Sequence, residues 1–374
     1  MRISSNFDSG SIEILSADQP SDIRLALRAD NAADFRQWFH FRLQGAAGKR
    51  CRIRLLNASA SSYPDGWTDY KVVASYDHDN WFRVSGTTYD GRALTIDIQP
   101  ELDSIYFAYF QPYSWERHLQ LLGRADSAMV GTVSDLGATV EGRDLNLITV
   151  GRPARKRKNV WVIARQHPGE TMAEWFVEGM LDHLFDPADP VSRRLLHQVC
   201  FRIVPNMNPD GSVRGNLRTN AAGCNLNRAW VAPDMETSPE VFQVCEAIGR
   251  WQPDVFLDIH GDEALPYVFV DGNGMLPSFS SRQAELERDF SAALLAATPD
   301  FQTQYGYAQD RFGPEMLTLA SKWVGDRFGC LSLTLEMPFK DNADLRDGVE
   351  GWSAERSKRL ARSVLAALQR MLAP

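Results

Sequence analysis

The stretch "QHPGE" at 166–170 sets His167 and Glu170 three residues apart, between the apolar run "NVWVIAR" and the helical pattern "TMAEWFVEGMLDHLF". A ring nitrogen and a carboxylate leaving a strand in the same direction are two members of a His2Glu metal set. His260, after the apolar run "DVFLDI", supplies the third. Three protein donors leave one position open for water, which is the plan of a catalytic zinc; a structural zinc takes four. Water activated in this way still needs a base to carry its proton, and Glu336, directly after "LSLTL", is the candidate. The segment "NPDGSVRGNLRTNAAGCNLNRAW" adds Arg214, Arg218 and Arg228 within a loop rich in Gly and Asn. Guanidinium groups bind carboxylates bidentately, so such a loop beside a hydrolytic zinc implies a substrate with a free terminal carboxylate, cut next to its C-terminus.

These residues need strands to position them, and the apolar runs "VWVIA", "CFRIV", "DVFLDI" and "LSLTL" are the clearest candidates. Each ends on polar residues: His167 and Glu170, then Asn206, Asn208 and Asp210, then His260, then Glu336. Ligands of open α/β sheets bind outside the carboxyl ends of the strands, so four such endings define a site. Between the runs lie helical patterns, including "AELERDFSAALLAA", and "AERSKRLARSVLAALQRML" closes the chain as a helix. Residues 1–111 follow another rhythm. Period-two alternation in "CRIRL", "YKVVASY", "ALTIDI" and "SIYFAYF", broken by turn signals such as "YPDG", predicts an antiparallel β-sandwich. Its tryptophans Trp38, Trp67 and Trp81 are expected to fill that core or its seam with the next domain, the alternative being a binding face.

The length of 374 residues favours two domains, and 44% hydrophobic residues can fill both. The N-terminus has no apolar leader and no uncharged apolar run is long enough for a membrane span, so a cytoplasmic protein without a membrane partner is expected. Five scattered cysteines without CxxC spacing argue for reduced thiols. A net charge of −8 argues against nucleic acid, with the basic run "RPARKRK" at 152–158 read as a solvated loop. The chain has no GxSxG, and "GNGMLP" lacks the last glycine of a dinucleotide loop.

As a set, "HPGE" with a distant histidine, "NPDG", "NLNRAW" and a late "TLE" resemble the zinc carboxypeptidases of the carboxypeptidase A superfamily. The "HPGE" form, the short gap to His260 and the β-rich start resemble its cytosolic carboxypeptidase branch, whose eukaryotic members trim C-terminal and side-chain glutamates. The likeness covers residues 112–370, with "ATVEGRDLNLITVG" similar to the family's early strands. It implies a mixed central sheet flanked by helices over 112–374, one zinc per chain on His167, Glu170 and His260, and Glu336 as general base. It also implies Arg218 at the oxyanion, and Asn227 and Arg228 on the terminal carboxylate of a peptide or protein substrate. The family's mobile tyrosine has two counterparts, Tyr307 ahead of Tyr305. A cation in the side-chain pocket, Lys322 or Arg327, would favour acidic C-terminal residues such as Glu. The competing readings are a zinc amidohydrolase deacylating small N-acyl amino acids and a non-catalytic binding module on the same fold. The oligomeric state has no signature.

Overall fold

The computed structural model describes residues 1–154, 156–308, 311 and 313–372. The early alternation yields two five-stranded sheets, ordered Arg2–Ser4, His40–Gln44, Ser104–Ala108, Val73–Ser75, Trp81–Arg83 and Glu13–Gln19, Asp22–Ala26, Cys51–Leu55, Leu94–Ile98, Thr87–Tyr89. In Cys51–Leu55 the residues Cys51, Ile53 and Leu55 are buried, while Arg52 and Arg54 turn outward to pair with Asp97 and Asp22. The strand pairs are antiparallel except Asp22–Ala26 against Cys51–Leu55, which run parallel with Ile23 opposite Ile53. Trp38 and Trp67 are buried, and Tyr109 stacks on Phe339 of the later part of the chain at 4.5 Å. These aromatics pack the sandwich and its seam.

Beyond Trp115 a seven-stranded mixed sheet forms, ordered Gly131–Ala138, Asp144–Val150, Val199–Val204, Lys158–Ala164, Val255–Asp262, Leu331–Pro338, Phe269–Asp271. Its four central strands are parallel and its outer ones antiparallel. Parallel strands are covered on both faces, which is why these sequences read as unbroken apolar runs. Alternation sorts them: Val160, Val162, Leu257 and Leu333 pack with helices Met172–Phe185 and Ala354–Leu372. Trp161, Ile163 and Phe256 pack with Pro239–Arg250 and Ala320–Phe328 on the other face. The first of these clusters runs without a break into the sandwich, so the two parts share one core.

Two strands run further than the apolar pattern suggests. Val255–Asp262 and Leu331–Pro338 continue past His260 and Glu336, which lie opposite each other in the parallel ladder. The short edge strand Phe269–Asp271 pairs with the extension, Phe269 opposite Glu336, and supplies the ladder partners that polar residues would otherwise lack. Of the basic run at 152–158, Arg155 lies outside the described residues; Arg152, Lys156 and Lys158 are exposed, and Lys158 pairs with Asp254 at 2.9 Å. Among the described residues no helix is long and apolar enough to cross a membrane.

Candidate active site

The strand Lys158–Ala164 leads into Arg165, whose φ of 56° is left-handed, a conformation that costs a residue with a Cβ about 1–2 kcal/mol. Buried polar bonds hold it there. Arg165 Nε donates to Pro168 O at 3.0 Å, and Nη1 donates to Glu174 Oε2 at 2.6 Å. Glu174 Oε1 in turn lies 2.6 Å from His118 Nδ1. This network braces the loop carrying His167 and Glu170, both of which are buried.

Three donors converge at the loop. His167 Nδ1 lies 2.6 Å from Glu170 Oε1, and His260 Nδ1 lies 2.7 Å from Glu170 Oε2. The outer nitrogens are engaged elsewhere: His167 Nε2 meets Asn225 Oδ1 at 3.1 Å, and His260 Nε2 meets Asp258 Oδ1 at 2.9 Å. Nε2–H donation from His167 to Asn225 leaves a lone pair on its Nδ1, aimed at the Glu170 carboxylate. A lone pair so close to a carboxylate oxygen repels it unless a cation, a proton or a metal ion, stands between them. The three donor atoms lie within 4.8 Å of one another, and their chemistry is that of a zinc set with an open position.

The local field agrees with a cation. Burial, reinforced by Arg218, pushes the His167 imidazole down to about 3, which keeps it neutral and able to donate its lone pair. Burial opposes a charge on His260, yet Asp258 and Glu170 outweigh it and hold that ring's pKa well above the ordinary value, so a cation bound there would take the place of its proton. Among the described residues the cavity wall carries Glu170, Asp262, Glu263, Asp271 and Glu336 beside Arg218, Arg228 and Arg311.

Around this centre stand most of the residues the sequence singles out. Glu336 is buried beside His260, with Oε1 2.8 Å from the Tyr307 hydroxyl and Oε2 without a hydrogen-bond partner among the described residues. Burial pushes its carboxyl up to about 8, with His260 opposing and Glu170 and Asp262 adding to the rise; a bound cation would lower it again. Tyr307 also reaches Asp262 Oδ2 at 2.9 Å. Tyr305, in contrast, stacks on Tyr267 at 4.4 Å in an exposed position outside the cavity. Arg218, Asn227 and Arg228 line the same cavity. The Asn227 side chain is partly committed, accepting from Ala320 N at 2.9 Å.

Lys322 sits differently. It is buried in a neighbouring cavity that shares Asp271 and Tyr307 with the first, and its Nζ bonds Asp271 Oδ2 at 2.9 Å and the carbonyl of Gly272. Arg327 is exposed at the end of helix Ala320–Phe328, stacked over Trp323 and Phe328.

Several site residues escaped the sequence reading. Asp258 lies two positions before His260, and strand alternation puts both on one face. Asn225 stands in the "NLNR" motif itself. Those two carried local signals. Tyr63, Asp262, Glu263 and Arg311 also line the cavity, and Tyr63 comes from the sandwich.

Two imidazoles, a carboxylate and a second, proton-carrying carboxylate at the end of a mixed sheet define a metal-dependent hydrolase. The chain belongs to the zinc carboxypeptidase family, whose model matches residues 116–349, and residues 3–110 match the cytosolic carboxypeptidase N-terminal domain. It is a zinc metallocarboxypeptidase that uses Zn2+ and acts on peptides. A metallo-carboxypeptidase from Burkholderia cenocepacia is 55% identical over 99% of this chain and 98% of its own, with a TM-score of 0.97. One from Pseudomonas aeruginosa, solved in complex with (2-guanidinoethylmercapto)succinic acid, is 46% identical over 99% and 98%, with a TM-score of 0.95. Cytosolic carboxypeptidase 1 of Mus musculus is 28% identical over 73% of this chain, which spans only 26% of that protein's length.

Proposed function

We propose that this enzyme hydrolyses the C-terminal peptide bond of peptides or proteins, with residues 112–374 as its catalytic domain and 1–111 as an accessory domain. The carrying observation is the convergence of two Nδ1 atoms on the Glu170 carboxylate, with Glu336 opposite His260 in the ladder. In this reading His167, Glu170 and His260 hold the zinc. When bound, zinc supplies Lewis-acid polarisation of the scissile carbonyl and acidification of a water. Glu336 Oε2 takes the proton of the attacking water and passes it to the leaving amine. Arg218 donates to the carbonyl oxygen as negative charge builds there. Asn227 and Arg228 receive the terminal carboxylate, and Tyr307 covers the substrate from the side of Glu336. The succinic acid compound bound by the Pseudomonas aeruginosa relative carries two carboxyl groups, which suits a site lined by arginines. The relatives named cytosolic carboxypeptidases support a cytoplasmic address.

Metal analysis tests the ligand assignment. The purified protein should carry about one zinc per chain, and His167→Ala and His260→Ala should each lose it while remaining folded. Full zinc occupancy in both folded variants would show that other residues hold the metal.

An acidic preference rests on Lys322, since Arg327 points into solvent. Lys322 is already matched by Asp271, so a Glu side chain must compete with that carboxylate for the ammonium. On a library of peptides differing only in the last residue, Lys322→Ala should lower the ratio of kcat/KM for Glu-ended over Leu-ended substrates by about tenfold, the worth of a charge-assisted bond. An unchanged ratio would remove the acidic preference and leave the peptidase assignment intact.

A further inference from the structure

The sandwich reaches into the active site at one segment. Asp30, buried and 187 to 189 residues upstream of its partners, accepts four hydrogen bonds from Leu217–Thr219. Leu217 N donates to Oδ1 at 2.6 Å, while Arg218 N, Thr219 N and Thr219 Oγ1 all donate to Oδ2 at 2.9 Å. Leu217 O then accepts from Gly169 N at 2.9 Å, which joins the segment to the loop bearing His167 and Glu170. The Arg218 guanidinium lies 5.4 Å from the ring of Tyr63, another sandwich residue and part of the cavity wall. Aromatic faces hold guanidinium groups in this way through cation–π attraction and stacking.

A carboxylate receiving three backbone N–H groups and a hydroxyl fixes the backbone of the residue it surrounds. An interface serving cohesion alone would have no need to spend a buried charge on this segment; apolar contacts of the kind that already join the two parts would suffice. From this we infer that the N-terminal sandwich completes the catalytic centre, with Asp30 as the positioning residue that holds Arg218 toward the reacting carbonyl and Tyr63 as the wall that orients its guanidinium. The inference rests on the reading of Arg218 as the oxyanion donor.

In Asp30→Asn one acceptor oxygen becomes an amide that faces donors, so part of the clamp turns repulsive with almost no change in volume. Removing an oxyanion donor outright costs about 10²–10³ in kcat, and displacing one should cost about tenfold to a hundredfold. The full-length zinc-loaded enzyme should therefore lose that much kcat on a free peptide, with KM within about twofold and one zinc retained. Asp30→Asn added to Arg218→Ala should slow the enzyme by no more than about twofold further, because both changes act on one group. A loss just as large in the Arg218→Ala background, or a loss of zinc, would show a general structural role and overturn the inference. If Asp30→Asn does not fold, Thr219→Val removes one of the four bonds and should still lower kcat about threefold at constant KM; no change would equally overturn it. Arg218→Ala costing a hundredfold or more while Asp30→Asn keeps full kcat sinks this inference alone. Arg218→Ala with near-normal kcat sinks the oxyanion reading and the inference with it.

Discussion

Glu336→Gln is expected to keep its zinc and its affinity for substrate while losing at least about two orders of magnitude in kcat, the effect of removing a general base. The substitution preserves shape, and the Gln amide can still meet the Tyr307 hydroxyl that now lies 2.8 Å from Oε1. What it removes is a basic oxygen at the position of Oε2, a buried atom with no hydrogen-bond partner among the described residues. Steady-state and single-turnover kinetics together with metal analysis separate the outcomes. Loss of metal or fold would mark Glu336 as structural, and an unchanged kcat would move the proton to another acidic residue of the cavity, such as Asp262 or Glu263.

Most of this chemistry was legible in the sequence because parallel strands carry an unbroken apolar pattern, and residues that interrupt it at the carboxyl ends stand out. His167, Glu170, His260 and Glu336 announced themselves in that way. The extension of two strands past His260 and Glu336 was not legible, since it depends on the three-residue edge strand Phe269–Asp271, too short and too mixed to show a period. The same strand contributes Asp271, the partner that already engages Lys322, so the state of that cation could not be read from the residues around it. Tyr305 and Tyr307, two positions apart, were separated only by their neighbours, Tyr267 for one and Glu336 with Asp262 for the other. Asp30 and Tyr63 lie beyond the reach of any spacing argument. They come to the site through the fold of a separate sheet pair, and tertiary contacts of that range leave no local pattern.

The second large effect concerns the substrate's terminus. Arg228 lines the cavity next to Asn227, whose carbonyl accepts from Arg228 Nη1 at 2.6 Å, and a guanidinium in that wall is the group that meets a carboxylate bidentately. Replacing a terminal carboxylate by an amide deletes the charge-assisted pair, which costs roughly 2–5 kcal/mol when the pair is partly desolvated. Arg228→Ala should reproduce that loss on free peptides and add little on amidated ones, because the two changes delete one interaction. An endopeptidase has no such dependence on a free terminus. The most direct measurement is therefore kcat/KM of the zinc-loaded wild type on one peptide with a free and with an amidated C-terminus. The amidated form should be cut about thirtyfold to several thousandfold more slowly, the same energy expressed as a rate; equal rates on the two would contradict the carboxypeptidase reading.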